Sequence, residues 1–533
     1  MAHYPIKCVY CFQEISNEDV LFNLGDRQLT GISARRTDRG TPGAAGPAAA
    51  PPRREEPNFV LLENKDDFFE DAEAPDEEPS GPERNPLGAD FFTAAQLREL
   101  MPDSDVSLKN TPVAVTPEFH AERAAGEKDL FTEVEYTDKN GNRMALCHRY
   151  CPYCGSRLPS LSGRVPTYLV TVLGTSSSGK TVYLAALHQL LKNGQKKMQL
   201  HRGQLNGDAA ENDMLIAELS KELYSHGVLP STTLDSVPDP VSFHLTFSLE
   251  MKAGNLAPQK ACILALADMK GEDLTDAKAE ALVMLHEKYR ISDAFLFMVD
   301  PENMPGYFSA AGEAQELPEA HSKLTHLVRD HIASQFGGSV DKPAVVVMTK
   351  TDKLLALSRR YPGQELFRRV SRTLDPETTS RMSKSQDYFK RLGLETQAIL
   401  EAYDPNMRFF LQNTFPNAVY ANVAAMGPAP DFYTEDGQLK IRDPNVELAI
   451  RLEDPLLILL SKLHFVPPYE TMPAVRRELP LPGRLDPRRK ETEQWNRRAR
   501  EDNQRFRDIV NAWRRDYTLT APPGGAPQSG KPT

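Results

Sequence analysis

Apolar residues are unevenly spread along this chain. Between residues 168 and 426, short apolar runs recur. Tyr168–Leu173, Ala261–Ala267, Asp293–Pro301 and Pro343–Met348 are apolar runs that predict buried strands, the first of them β-branched. Val241–Leu249 alternates at period two and predicts a strand with one buried face. A short turn at Ala253-Gly254-Asn255 joins it to Ala261–Ala267 as an antiparallel hairpin. Helical spacing follows the first run (Thr181–Leu190), fills a polar stretch ending near His226, and recurs over Glu319–Phe336 and Asn445–Leu463. Ala418–Gly427 predicts a last strand and the loop after it.

Outside this block the pattern changes. Thr132–Thr137 and Arg143–Cys147 flank Asn140-Gly141, a strong hairpin signal. Residues 35–83 run through Pro/Ala/Gly-rich and then acidic sequence, which lacks the apolar surface to order itself. The Phe-containing stretch Asp90–Leu97 lies in the same insert and is expected to be solvated linker, with a docking motif as the sharper alternative. Asp486–Tyr517 places Trp495, Ala499, Phe506, Ile509, Val510 and Trp513 near helical spacing, an amphipathic helix for the folded domain or for a partner. The expected division is 1–25 and 128–163 as two halves of a small N-terminal module, 26–127 as a mostly disordered insert, 164–465 as an α/β domain, and 466–533 as helix and tail.

Composition narrows the class. The 533 residues carry 63 basic and 74 acidic side chains, a net charge of −11, which disfavours a surface built to coat nucleic acid. The segment 476–517 holds 13 basic and 8 acidic residues, so a local anionic partner, nucleic acid or membrane, stays as a less favoured alternative there. The start lacks an apolar signal core and no apolar run is long enough to span a bilayer, so a cytoplasmic protein is expected. Six cysteines then point to metal or inert thiols before disulfides.

Four of them form two C-x-x-C pairs, Cys8/Cys11 and Cys151/Cys154. Together they make a four-cysteine structural zinc site of ribbon type. The 139 residues between the pairs add only about 1.7 kcal/mol of loop-closure cost over a 20-residue gap. A structural zinc site releases ~10–16 kcal/mol, so the gap does not exclude the pairing. Cys147 and His148 are rival ligands, and unmetallated or redox-active pairs are the alternative.

The sharpest motif follows the first buried run. Gly174-Thr175-Ser176-Ser177-Ser178-Gly179-Lys180-Thr181 matches G-x-x-x-x-G-K-[ST], between a strand and a helix as that loop requires. Its backbone N–H groups cradle phosphate oxygens, Lys180 reaches the β- and γ-phosphates, and Thr181 offers a hydroxyl to Mg²⁺. Asp268-Met269-Lys270-Gly271 gives D-x-x-G at the end of the hairpin's second strand, where Asp268 can hold Mg²⁺ and Gly271 can approach the γ-phosphate. Thr349-Lys350-Thr351-Asp352 ends a later strand as T-K-x-D. An aspartate there accepts two hydrogen bonds from guanine, a donor pair that adenine lacks.

In this order and on these strands, residues 166 to about 465 resemble the Ras-like, translation-factor-related P-loop GTPases. With the N-terminal ribbon the chain looks like the bacterial double-GTPase (type two) family. The resemblance implies a mostly parallel α/β sheet with one antiparallel hairpin, plus zinc ribbon and C-terminal helix. It implies GTP and GDP as ligands with Mg²⁺, hydrolysis of GTP as a switch, and protein partners in a multi-gene conflict or phage-defence system. Gly174 through Thr181 would hold phosphates and metal. Thr233, or Thr232 beside it, resembles the first switch threonine; Asp268 and Gly271 resemble the second switch, Lys350 and Asp352 the base reader, and Ala424 the base-contacting loop. Glu272 stands where many GTPases place a water-orienting glutamine, either as a base or as a helix-start charge. Two other classes compete. An ATP-driven motor would need T-K-x-D to be an ordinary strand end, and it lacks a glutamate beside Asp268, where Met269 stands. A non-catalytic zinc-ribbon adaptor would bind nucleotide only structurally.

Overall fold

The computed structural model describes residues 4–29, 87, 90–101, 104–109, 130–138, 140–174, 177–192, 198–200, 203–209, 214–230, 241–252, 255–268, 288–307, 336–360, 386–435, 437–468, 473, 478–483 and 486–519. Two bodies of sheet account for most of them, one small and N-terminal, one large and central.

The N-terminal body is built from short strands: β1 (Ile6–Lys7), β2 (Glu14–Ile15), β3 (Leu21–Asn23), β4 (Arg27–Leu29), β5 (Phe91–Thr93), helix α1 (Ala94–Leu100), β6 (Val106–Lys109), β7 (Glu133–Thr137) and β8 (Arg143–Leu146). β1 pairs with β2 and β3 with β5, while β4, β8, β7 and β6 form a four-stranded antiparallel sheet. The predicted hairpin is β7–β8. Its turn is stabilised by Asp138, whose carboxylate accepts from the Asn140 and Asn142 amides at 2.8 and 2.7 Å, with Gly141 at positive φ.

Residues 91–101 and 104–109 correct the expectation of solvated linker, because they fold. Thr93 and Gln96 cap α1 reciprocally, so a helix of two turns starts cleanly. Leu97 then buries in the module's core with Phe22, Val134 and Leu146. Residues assigned to the insert, β4, β5, α1 and β6, thus belong to the small body.

The central sheet runs β10-β11-β12-β13-β9-β14-β15-β16. Its strands are β9 (Thr167–Gly174), β10 (Met198–Leu200), β11 (Gly203–Ala209), β12 (Val241–Lys252), β13 (Asn255–Asp268), β14 (Ala294–Val299), β15 (Ala344–Met348) and β16 (Val419–Asn422). β13, β9, β14, β15 and β16 pair in parallel, and β12 joins β13 as the expected antiparallel hairpin. β10 and β11 extend it antiparallel beyond expectation. Gln204, Asn206 and Asp208 give β11 the polarity that made this stretch look helical. Strands at a sheet's margin tolerate such residues.

The helices are α2 (Lys180–Lys192), α3 (Met214–His226), α4 (Thr351–Arg360), α5 (Gln386–Tyr403), α6 (Pro405–Thr414), α7 (Asp454–Lys462) and α8 (Arg489–Leu519). A hairpin of β17 (Phe432–Glu435) and β18 (Gln438–Ile441) follows β16. The expected helix over Asn445–Leu463 is corrected at its start. A short 3-10 turn, Val446–Leu448, comes first, and the α-helix begins only at Asp454. Pro455 suits a first turn, and Arg451, at φ 57°, breaks any continuous helix before it. The expected helix at Glu319–Phe336 lies outside the described residues apart from Phe336.

Each face of the sheet is covered differently. Tyr168, Val170 and Val172 of β9 pack into a core with α2, with Leu456–Leu460 of α7 and with Phe506 and Val510 of α8. So the apolar stripe of α8 lies on the nucleotide-type domain itself. On the other face, Phe295, Phe297, Val346 and Met348 pack against α4, α5 and α6. Beside them Leu169 of β9 and Ala261, Ile263, Ala265 and Ala267 of β13 pack with Val9 and Phe12, from the first C-x-x-C turn, and with Ile291 at the end of a short described helical stretch. Val9 and Phe12 are fully buried. Lys7 reinforces the joint with a 2.9 Å ion pair to Asp293, whose carboxylate also accepts the Leu169 amide at 2.8 Å. Lys288 lies 5.9 Å over the Phe12 ring.

Phe12→Ala is therefore expected to destabilise the central sheet as well as the small body. Loss of a buried aromatic costs about 3–5 kcal/mol, and chemical denaturation followed in both bodies should show the shift in each.

Candidate nucleotide and metal sites

β9 ends at Gly174 because the sheet leaves no room for a side chain there. A Cβ would sit 2.7 Å from the Met298 carbonyl oxygen of β14. The chain then curls, with Ser177 and Gly179 both at positive φ, 61° and 83°. This is the conformation that points successive backbone N–H groups to one side. α2 starts at Lys180, and its first turn adds backbone N–H groups and the positive end of the helix dipole. Lys180 is buried and its ammonium donates to the Gly174 carbonyl at 3.0 Å, folded across the loop it closes. The Ser178 hydroxyl is buried without a protein hydrogen-bond partner. A concave cradle of donors with a buried cation is complementary to an anion, so these residues fit a phosphate chain. Thr175 and Ser176 lie outside the described residues.

β13 lies parallel to β9 and ends with Asp268 opposite Val172, two residues before the loop begins. That places the backbone of the expected Mg²⁺ aspartate beside the cradle; its side chain is outside the described part. Gly271, Glu272, Thr232 and Thr233 also lie outside the described residues.

T-K-x-D sits at the end of β15, two strands from the loop. Thr349 is buried, and its hydroxyl donates to the Ser178 carbonyl at 2.7 Å, so this motif is tied directly to the phosphate loop. Lys350 adopts φ 48°, a left-handed conformation unusual for lysine. Its ammonium donates to Asp300 at 2.6 Å and reaches Glu302 at 3.3 Å. Burial opposes the charge on Lys350, but Asp300 and Glu302 outweigh it and hold the ammonium above its usual proton affinity. Asp352 lies in the first turn of α4, partly buried. Burial pushes its carboxyl up to about 6, against the Lys353 and Lys350 charges.

The loop after β16 closes the same edge. The Thr351 amide donates to the Val423 carbonyl at 3.1 Å, and Ala424 exchanges backbone hydrogen bonds with Ile450. Ala424 is buried. The structure thus brings the loop at Gly174–Lys180, the T-K-x-D motif and the loop at Ala424 together at the carboxyl ends of the parallel strands, the usual ligand edge of such sheets. Sequence reasoning missed Asp300 and Glu302, the partners of Lys350. Their signal was D-P-E directly after a buried strand.

The second candidate site is in the small body. The sulfurs of Cys8, Cys11, Cys151 and Cys154 all lie within 4.8 Å of one another, with Cys8–Cys154 and Cys11–Cys151 both at 3.6 Å. A tetrahedron with Zn–S of ~2.3 Å has sulfur edges of ~3.8 Å, so this donor set fits zinc. Crowding by the Cys11, Cys151 and Cys154 sulfurs, with burial, pushes the Cys8 thiol well up, which a bound cation would reverse. Cys147 and His148 stay outside the cluster; His148 faces Asp26 at 3.4 Å.

A phosphate-type cradle after a buried strand, a parallel neighbour ending in aspartate and a T-K-x-D turn tied to the cradle are the arrangement of a P-loop GTPase-like sheet. Residues 168–392 match the sequence model of the Double-GTPase 2 family, and this match supports a P-loop, GTP-binding, switch-like protein of the double-GTPase type. No curated protein matches the chain. Among solved structures it is similar to an ADP-ribosylation-factor-like GTP-binding protein, the small COPII coat GTPase SAR1 of Encephalitozoon cuniculi, in complex with GDP. That likeness has 14% identity over 49% of this chain and 71% of the other, with a TM-score of 0.18. No described helix is long and apolar enough to cross a membrane.

The expected metal content is one zinc ion per chain by elemental analysis. It should persist in Cys147→Ser and be lost in Cys11→Ser; loss in both variants would move Cys147 into the ligand set.

Proposed function

We propose that this chain binds GTP and GDP at the carboxyl edge of its parallel sheet, hydrolyses GTP, and changes state with the nucleotide. The observation that carries the reading is the hydrogen bond from Thr349 to Ser178. It joins the phosphate cradle to T-K-x-D, so a nucleotide held by its phosphates at Lys180 presents its base toward Asp352. An ATP site needs no such link to a carboxylate that accepts two donors.

In this reading Gly174 to Thr181 wrap the phosphates, with Lys180 moving from the Gly174 carbonyl to the β- and γ-phosphate oxygens. Mg²⁺, held by Thr181 and Asp268, would supply charge to the β- and γ-oxygens. Thr233 and Gly271 would close on the γ-phosphate and part from it after hydrolysis, the order change that makes a switch. Glu272 occupies the usual water-orienting position. A carboxylate there lacks the amide's donor, so intrinsic turnover should be slow and a protein partner should complete the site; an arginine supplied in this way contributes ~10³–10⁵ in rate. Zinc at Cys8, Cys11, Cys151 and Cys154 is structural, because four thiolates leave no open position. A role in a bacterial conflict or phage-defence system follows from the family resemblance.

Side-by-side binding of GTP and ATP tests the reading. GTP should bind in a Mg²⁺-dependent manner, Lys180→Ala should abolish it, and Asp352→Asn should exchange guanine for xanthine preference. Equal affinity for ATP would overturn it. Affinity should also depend on pH. Asp352 must be ionised to accept from both guanine donors, and in the free protein it gains its proton near pH 6. GTP affinity should therefore fall about tenfold per pH unit below about 6, and Asp352→Asn should lose that dependence for its xanthine ligand. Stability carries the opposite sign: the folded chain holds this proton more tightly than the unfolded one, so ionising Asp352 weighs against the fold as pH rises from about 4 to 6.

A further inference from the structure

Arg451 is a charged residue in an uncharged place. Its side chain is 3% exposed, and its backbone is left-handed, φ 57°, a conformation arginine rarely adopts. The guanidinium donates to the side-chain amide oxygen (Oδ1) of Asn422 at 2.7 Å, lies 3.6 Å from Glu395, and covers the Tyr388 ring at 5.9 Å. Asn422 in turn donates to Thr396 at 2.8 Å, and Thr396 to the Leu392 carbonyl at 2.9 Å. Asn422 and Thr396 are buried. This polar chain therefore runs from α5, through the end of β16, to the segment just before α7.

A buried ion pair of this kind adds little to stability compared with apolar packing, so its position is the informative property. Asn422 is the last residue of β16. The next residue, Val423, takes the Thr351 amide on its carbonyl. The residue after that, Ala424, exchanges two backbone hydrogen bonds with Ile450, the neighbour of Arg451. The loop is thus gripped on one side by the T-K-x-D turn and on the other by Ile450 and Arg451. Asp352 immediately follows the Thr351 amide that leans on this loop. The phosphate cradle has a separate tie to the same turn, through Thr349.

We propose that Arg451 is a positioning residue for base recognition: it fixes Asn422 and the loop 423–426 from behind, and through Val423 and Thr351 it sets the aim of Asp352. The proposal rests on the reading that Asp352 accepts from guanine. It makes Arg451 matter to the base and not to the phosphates.

The test compares GDP, IDP and inorganic pyrophosphate binding, with Mg²⁺, in full-length Arg451→Met and Arg451→Lys. IDP lacks the exocyclic amine, so the GDP to IDP affinity ratio reports the two-donor contact with Asp352. Arg451→Met should weaken GDP about tenfold, within the range of indirect mutations along a coupled network. Its GDP to IDP ratio should collapse while pyrophosphate affinity stays within about twofold of wild type. Arg451→Lys keeps the charge but not the planar fork, and should show the same split at smaller size; it decides the matter if the methionine variant does not fold. A folded variant with the wild-type ratio, or an equal loss of GDP and pyrophosphate, overturns the proposal. Asp352→Asn separates the two layers. If it too leaves the ratio unchanged, the base-reading assignment itself fails; if it abolishes the ratio and the Arg451 variants do not, only the role of Arg451 falls.

Discussion

A parallel sheet must be covered on both faces, and here that requirement is met on one side by a metal-type turn. β9 is buried along its whole length, flanked by parallel neighbours. On one face the helices α2, α7 and α8 do the covering. On the other, the part of β9 and β13 nearest the hairpin is sealed by Val9 and Phe12. These two side chains come from the turn that holds Cys8 and Cys11. The turn presents the two side chains, and with Ile291 they cover the strand that ends at Asp268. The small body is therefore part of the core of the large one, not an appendage on a linker.

At the carboxyl edge the logic is different. There the strands stop, and hydrogen bonds across loops hold the geometry. Thr349 spans from the T-K-x-D turn to the phosphate cradle, Thr351 spans to the loop after β16, and Ala424 spans to Ile450. Two of the residues that make this edge, Ser177 and Lys350, sit in left-handed conformations that cost of order 1–3 kcal/mol each in a non-glycine residue. Strain of that size persists only where the surroundings over-determine it. Lys350 shows how, because Asp300 and Glu302 hold its far end.

What could be read in the sequence follows from how local each feature is. β9, β13, β14 and β15 were legible because interior parallel strands are continuous apolar runs. The phosphate loop was legible because two glycines, a lysine and a threonine at fixed spacing are a local requirement. The split cysteine site was legible because each half is a local turn, although its closure is not. β11 was not legible, since Gln204, Asn206 and Asp208 satisfy a marginal strand and a solvated helix equally well. Leu97 was hidden in a segment whose average composition belongs to its neighbours. Arg451 gave no sign at all: in Arg-Leu-Glu-Asp it looks like surface, and only the approach of Asn422 and Glu395, far away in sequence, makes it interior.

The joint between Phe12 and Ile263 also sets an order of events during synthesis. The second cysteine pair follows the Cys8 turn some 140 residues later in the chain, and β13 follows it some 250 residues later. At ~5–20 residues per second, β13 appears ~12–50 s after the turn it packs against. Until then Val9 and Phe12 lack the β13 face they cover, although the second cysteine pair has been made some 100 residues earlier. The four-cysteine cluster can thus close before the central sheet exists, and the turn it holds waits, already shaped, for the strand that buries Phe12.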